Sequence, residues 1–202
     1  WGYNFHHEVF EDKNGNIIAT VTNNNAKLPD NKTSRIFDHA IEINPETSTI
    51  TKVWDFTSFL DQTRILSVDK DLPLYAYFGQ NEANWLHNNG LTEIGDDLLA
   101  TGRWQGVFKY TREGQLKWII APHNDWKDSY KQYLLTPLDK NNQPITDLDV
   151  LNGKKSHPDF EWCWGVHCPV AMPNGHILAF DNGYCRNYVP QLTNASGQYS
   201  RI

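Results

Sequence analysis

The chain has 202 residues with 18 basic and 24 acidic side chains, which gives a formal net charge of −6 at pH 7. No run of Lys and Arg stands out, so the sequence lacks the positive patch that binds a phosphate backbone. Its apolar runs are far shorter than the ~20 residues of a membrane-spanning helix. These features argue against a nucleic-acid-binding protein and against a transmembrane protein.

Short apolar runs rich in Val, Ile, Tyr, Phe and Trp alternate with turn sequences such as Asn-Gly along the chain. This pattern is typical of strands joined by tight turns. Helix is predicted only for short connectors, within 55–66 and within 126–135. The sequence therefore predicts an all-β fold. In chain order, the predicted strand pairs lie at 7–20, 35–44 with 50–56, 87–101, 105–111 with 115–120, and 167–180.

Three of these hairpins share one pattern. Each begins with a histidine, passes through a tight turn and enters two aliphatic residues followed by alanine. The copies begin at His7, His87 and His167, so that each histidine stands 80 residues before the next. The first two copies continue into a second hairpin, which gives four strands per repeat. Four-stranded repeats of this kind predict the blades of a β-propeller.

The number of repeats predicts an incomplete ring. The third copy stops at 199–202, where its third strand would begin. The chain then holds about two and a half blades, or up to about four if the long connections at 57–84 and 122–166 contain further strands. We therefore expect residues 1–202 to form one partial propeller domain of a longer protein.

The repeated histidines predict a shared site. The first strand of each propeller blade lines the central channel, so His7, His87 and His167 are expected to meet there. Such a cluster suits metal binding, nucleophilic and acid–base catalysis, or anion binding. Arg103 and Asn89, which are predicted beside the cluster, favour an anion such as sulfate or phosphate. The alternatives are histidines that make structural hydrogen bonds within each blade and an Arg103 that is solvated in a loop.

Three cysteines are present, Cys163, Cys168 and Cys185. Cys163 and Cys168 are close enough in sequence to form a disulfide across a small loop if the compartment is oxidising. Two reduced structural thiols are the alternative.

Short motifs in a fixed order connect the sequence to a known family. They are His6-His7-Glu8, Asn-Trp-Leu-His-Asn-Asn at 84–89, Thr-Gly-Arg-Trp-Gln-Gly-Val at 101–107, Gly-Gln-Leu-Lys-Trp at 114–118, Gly-Val-His-Cys-Pro at 165–169 and Asn-Gly-His-Ile-Leu at 174–178. Together they resemble the aryl sulfotransferase family, which comprises six-bladed bacterial propeller enzymes. The resemblance implies transfer of a sulfuryl group from a phenolic sulfate ester to a phenol. It also implies ping-pong kinetics through a sulfohistidine, with no cofactor and no metal.

The resemblance also implies residue roles. His167 would be the nucleophile. His87, Arg103 and either His7 or its neighbour His6 would bind the sulfuryl oxygens and assist proton transfer, with Asn89 in support. The family is exported, so the resemblance implies a periplasmic or cell-surface protein, in which the disulfide could form. The implied partners are the sulfate donor and the phenol acceptor, with no nucleic acid. The sequence leaves the oligomeric state open, with a homodimer as one candidate assembly.

Two other functions fit parts of the sequence. A non-catalytic propeller that serves as a binding module would use its histidines structurally. A metal-dependent hydrolase or lyase would use the three histidines as ligands. Arg103 and Asn89 favour the sulfotransferase, because a three-histidine metal site gives neither of them a role.

Overall fold

The computed structural model describes residues 1–32, 36–64, 84–103, 105–188 and 199–202. The predicted all-β fold is confirmed, because the described chain forms two four-stranded antiparallel sheets and one two-stranded sheet. In each four-stranded sheet the strands follow one another in chain order. The first sheet consists of β1 (Tyr3–Glu11), β2 (Ile17–Asn23), β3 (Asp38–Asn44) and β4 (Thr49–Asp55).

The second and third sheets continue the predicted repeat. A single antiparallel bridge between Asp181 and Arg201 extends the third sheet at the position where the next strand of the repeat is expected. The second sheet consists of β5 (Asn88–Ile94), β6 (Asp97–Gly102), β7 (Gly106–Tyr110) and β8 (Leu116–Ile120), and the third of β9 (His167–Ala171) and β10 (Ile177–Phe180).

Helix is confined to single turns in the described ranges, none of them long and apolar enough to span a membrane. Turns at Phe56–Ser58 and Asp128–Lys131 confirm the two predicted connectors. A further turn at Leu148–Leu151 lies in the connection between β8 and β9 and was not predicted. It begins at Asp147, whose carboxylate accepts two backbone N–H groups. The fourth turn is Arg186–Tyr188. Of the predicted elements, position 35 and positions 65–66 lie outside the described residues.

The three sheets stack face to face, and the second lies in the middle. Alternate residues of a strand point to opposite faces, and strand β6 is buried along its whole length. Leu98 packs in a core shared with the first sheet, whereas Leu99 packs against Val166 and the third sheet. This stacking brings the first strands of successive sheets, β1, β5 and β9, next to one another.

A charged contact joins the first two sheets. Arg112, in the turn after β7, contacts Asp12 at 2.8 Å and Glu42 at 3.0 Å in the first sheet. Its own backbone carbonyl accepts the indole N–H of Trp54 at 2.8 Å. The contact therefore joins two turns and a strand that belong to different sheets. The side chains are mostly buried, so their ion pairs are screened less than ion pairs on the surface.

Candidate functional site

The structure brings His7, His87 and His167 together, although 80 residues separate each from the next. The ring centres of His7 and His87 are 5.5 Å apart, and those of His7 and His167 are 6.1 Å apart. Both pairs meet edge to face. We call these three residues the histidine cluster. It lies where the first strands of the three sheets meet.

Irregular backbone directs these side chains. The histidines do not share one ladder position, because each first strand has a register shift close to its histidine. His7 and His87 have positive φ angles of 53° and 48°. A residue other than glycine in this region is strained by roughly 1–2 kcal/mol, and such strain and bulges concentrate at functional sites.

Thr20 keeps the backbone polar groups paired across the bulge in β1. Its hydroxyl accepts the N–H of Glu8 at 3.0 Å and donates to the carbonyl of His6. The bulge therefore turns His7 towards the cluster and leaves these two neighbouring backbone groups hydrogen-bonded.

Arg103 holds the ring of His87. Its Nη2 lies 2.7 Å from His87 Nε2, and its backbone N–H donates to the carbonyls of Leu86 and His87. A guanidinium can only donate, so Nε2 of His87 must accept and the ring is neutral. Burial first, and then the charge of Arg103, lower the pKa of His87 to about 3. Asn84, which was not predicted as a site residue, contacts the other ring nitrogen at 3.3 Å.

His167 combines a neutral ring with an unpartnered nitrogen. Burial first, and then the charges of Arg103 and His7, lower the pKa of His167 to about 4. Its Nε2 is buried and makes no hydrogen bond within the described part of the chain. A buried nitrogen without a partner is energetically unfavourable unless a ligand pairs with it. At neutral pH this imidazole has a lone pair available for attack on an electrophile.

The structure separates the roles of the adjacent residues His6 and His7. The ring of His7 faces the other two histidines. The ring of His6 turns towards Asp38, with Nε2 3.3 Å from its carboxylate, while its Nδ1 lies 2.8 Å from Nδ1 of His7. Asp38 was not predicted as a site residue, and it is only 2% exposed. A cleft of about 240 Å³ opens beside these residues, with Asn88 and Thr22 also in its lining.

Comparison with known proteins places the chain in a family. The family model described as arylsulfotransferase (ASST) matches residues 2–202. The chain belongs to the arylsulfotransferase family. It is 29% identical over 226 residues to arylsulfate sulfotransferase AssT of Escherichia coli O6:H1. The aligned region covers 97% of this chain and 37% of that protein. Arylsulfate sulfotransferase AssT of Lelliottia amnigena is 29% identical over 223 residues, with the same coverage. The chain thus spans little more than a third of the length of these curated relatives.

Asn89 of this arylsulfotransferase chain makes a contact that the sequence did not predict. It is 1% exposed, and its Nδ2 donates to the carbonyl of Val166 at 3.1 Å. The bond joins β5 to the residue immediately before His167. The observed contact is therefore a link between β5 and the His167 strand, and donation to a substrate anion would use the second hydrogen of the same amide.

Replacing Asn89 with alanine is expected to lower the free energy of unfolding by about 1–3 kcal/mol, because the buried Val166 carbonyl loses its donor. Chemical denaturation followed by tryptophan fluorescence measures the change. The exposed Asn25, replaced by alanine, is the control and should leave the midpoint nearly unchanged. Equal midpoints for the two variants would contradict the positioning role.

Cys163 and Cys168 are not joined by a disulfide in this structure, and their pairing in an oxidising compartment stays a prediction. The two candidates have different surroundings. Cys163 lies beside the charged side chains of Asp181 and Arg201. Cys168 is in β9, where burial and then the charge of Glu8 in the first sheet raise the pKa of its thiol. A short separation in sequence therefore did not bring the two sulfurs together.

The metal alternative has no matching group in the described ranges, where no set of three or more His, Cys, Asp and Glu side chains is arranged to hold a metal ion. The described groups at the histidine cluster are one guanidinium and neutral imidazole rings. Arg103 supplies a fixed positive charge beside His87, and the lowered pKa values of His87 and His167 keep both rings neutral at pH 7.

Proposed function

We propose that the protein containing this chain transfers a sulfuryl group from an aryl sulfate to an acceptor phenol. The observation that carries the proposal is the neutral, buried and unpartnered Nε2 of His167 beside the fixed charge of Arg103. A nucleophile with an adjacent cation suits attack on an anionic sulfuryl group. Membership of the arylsulfotransferase family and the names of the two relatives support this substrate class.

In the first half-reaction His167 attacks the sulfur atom in line with the bond to the aryl oxygen. The Nε2–S bond forms while the S–O bond breaks, and the aryl oxygen leaves with the electron pair as a phenolate. The phenolate then takes a proton from solvent. Arg103 stabilises the charge that builds on the sulfuryl oxygens and on the leaving oxygen. His167 carries the sulfuryl group after the first product has left.

In the second half-reaction an acceptor phenol takes the place of the first product. It loses its proton to a neighbouring neutral imidazole, and its oxygen attacks the sulfur. The new O–S bond forms as the Nε2–S bond breaks, and the electron pair returns to His167. This order of events gives ping-pong kinetics. His7 is the candidate base, because its ring lies nearest to both other histidines.

We also infer that the stacked sheets are successive blades of a β-propeller, with residues 1–202 as part of its catalytic domain. The face-to-face stacking and the meeting of the first strands support this inference. The outer sheets also keep exposed apolar side chains, such as Val53 in β4 and Leu178 in β10, which a further blade on either side would cover. Export to the periplasm or cell surface stays a prediction of the family resemblance, and a homodimer stays an open candidate for the assembly.

Intact-protein mass spectrometry tests the function. The full-length protein is incubated with p-nitrophenyl sulfate in the absence of an acceptor. We expect a mass gain of one sulfuryl group, which disappears when phenol is added, with phenyl sulfate as the product. The absence of both the adduct and released nitrophenol would overturn the proposal and favour a binding module. Hydrolysis that chelators abolish would favour the metal-dependent enzyme.

The pH dependence of adduct formation is a separate prediction. Only neutral His167 has a free lone pair, and its pKa is lowered to about 4. We therefore expect the rate to keep its neutral-pH value down to about pH 5 and to fall as the pH drops through about 4. Rapid-quench mass spectrometry measures the rate, and tryptophan fluorescence confirms that the protein stays folded. A half-maximal rate near pH 6.5, the value for an unperturbed histidine, would contradict the burial argument.

A further inference from the structure

Asp38, His6 and His7 form a continuous chain of contacting polar side chains that ends at the histidine cluster, in which His6 Nε2 faces the carboxylate without a hydrogen bond to any other described group. Asp38 Oδ1 lies 3.3 Å from His6 Nε2, and His6 Nδ1 lies 2.8 Å from His7 Nδ1. The second carboxylate oxygen of Asp38 accepts the backbone N–H of Asn88 at 2.7 Å, and Thr22 donates its hydroxyl to the first at 3.1 Å. We call Asp38, His6 and His7 the relay.

The carboxylate determines where the protons of the relay lie. An ionised Asp38 can only accept, so His6 carries its proton on Nε2. With a single proton on its ring, His6 has a lone pair on Nδ1 and accepts from Nδ1–H of His7. His7 is left with an unprotonated Nε2, which makes it an acceptor. Each proton position follows from the one before, starting at the buried aspartate.

Asp38 is suited to this role because its charge is stabilised inside the protein. Burial raises the pKa of Asp38, but the adjacent ring of His6, the N–H of Asn88 and the hydroxyl of Thr22 outweigh this effect and hold the pKa below its ordinary value. The carboxylate therefore stays ionised at neutral pH, as the direction of the relay requires.

We propose that Asp38 and His6 are positioning residues that present His7 as the base for the acceptor phenol. The proposal rests on the sulfuryl transfer proposed above. When the phenol attacks, its proton moves to Nε2 of His7 as the O–S bond forms and the Nε2–S bond of His167 breaks. The Nδ1 proton of His7 passes to Nδ1 of His6, and the positive charge comes to rest beside Asp38. Solvent removes the extra proton before the next turnover.

The charges around His7 are consistent with a neutral base. From the second and third sheets His87, Arg103 and His167 face it, and on its own sheet it meets His6 and Asp38. The adjacent Glu8 is partly buried, which raises the pKa of its carboxyl. Burial, His6 and Arg103 lower the pKa of His7, while Asp38 raises it. The net direction is downwards, so the ring of His7 carries a single proton at neutral pH, and the contact with His6 decides which nitrogen holds it.

The variant Asp38→Asn reverses the relay. The buried N–H of Asn88 still needs an acceptor, so the amide oxygen is expected to face Asn88 and the amide nitrogen to face His6. Nε2 of His6 must then accept, its proton moves to Nδ1, and Nδ1 of His7 must accept in turn. His7 thereby changes from an acceptor to a donor at Nε2. The matched control is Asp12→Asn, since Asp12 is a buried aspartate of the same sheet that contacts Arg112 and no histidine.

Neutron crystallography of the full-length protein reads the relay without any assay of activity. We expect deuterium on Nε2 of His6 and on Nδ1 of His7 in the unmodified protein and in Asp12→Asn. In Asp38→Asn we expect the deuterium on Nδ1 of His6 and on Nε2 of His7 instead. Unchanged proton positions in Asp38→Asn would overturn the proposal.

Single-turnover kinetics supply the functional test. In Asp38→Asn we expect transfer from the adduct to a weakly acidic phenol to slow by about 10²-fold. Adduct formation from p-nitrophenyl sulfate should change by less than about 3-fold, because nitrophenolate leaves without a proton.

If Asp38→Asn does not fold, His6→Phe removes the acceptor of His7 at a partly exposed position. This variant should slow the second half-reaction and spare the first in the same way. Equal slowing of both half-reactions would overturn the relay. An unmodified protein that forms no adduct would overturn the proposed function, and the neutron structure would still decide the relay.

Discussion

Replacing His167 with alanine is expected to abolish the covalent adduct and to lower kcat/KM for sulfuryl transfer by at least about 10⁴-fold. The reaction loses its nucleophile, and a water molecule or phenol would have to attack the sulfate ester directly. Arg103 and the other two histidines remain in place, so substrate binding should change far less than kcat. Intact-protein mass spectrometry and steady-state kinetics on the full-length protein measure the two effects.

The control for this variant lies in the same hairpin. His176 is exposed in the turn between β9 and β10, and His176→Ala should leave the adduct and the rate unchanged. Imidazole added to His167→Ala is expected to restore part of the activity by occupying the space that the side chain leaves. An adduct that persists in His167→Ala would contradict the assignment and move the nucleophile to His7 or His87.

The repeat made much of the fold and the histidine cluster predictable from sequence. Period-two apolar runs between Asn-Gly turns favour strands, because every second side chain needs a buried face. A histidine at the start of each copy predicts that the three meet, since equivalent strands of stacked sheets lie side by side. His7, His87 and His167 do meet, although they do not occupy the same ladder position.

The rest of the site depends on contacts between sheets. Asp38 is a single acidic residue at the start of β3, and only the meeting of the first two sheets places the N–H of Asn88 against it. Asn89 was expected to face a ligand because alternation put it on the same side as His87, but the register shift between Asn88 and Gly90 changes that alternation. Bulges of one or two residues leave no strong trace in composition or periodicity.

The choice between His6 and His7 shows the same limit. Neighbouring residues on a regular strand point to opposite faces, so the sequence predicts that one of them faces the channel and the other does not. The bulge in β1 instead brings both rings to the site, with His7 in the histidine cluster and His6 between His7 and Asp38. In the proposed relay the carboxylate acts through two successive side-chain contacts, and no sequence motif records that arrangement.

Replacing Arg103 with glutamine is expected to lower kcat/KM by about 10²–10³-fold, because the charge that stabilises the transition state is lost. The same change has a second effect with a definite sign. Arg103 is the second cause, after burial, of the lowered pKa values of His87 and His167. Without it both pKa values should rise, so the acid limb of adduct formation should move to higher pH. The pH dependence of single-turnover rates measures both effects in one experiment.

Arg103→Lys separates charge from geometry. Lysine keeps the positive charge, so the acid limb should stay near its original pH, but an ammonium group cannot present two parallel N–H donors to a sulfuryl group. The rate should therefore fall while the pH profile does not move. A rate loss in Arg103→Gln without any movement of the acid limb would show that Arg103 binds substrate but does not set the protonation of His167. No rate loss in either variant would remove Arg103 from the site, and with it the argument that this cluster binds an anion.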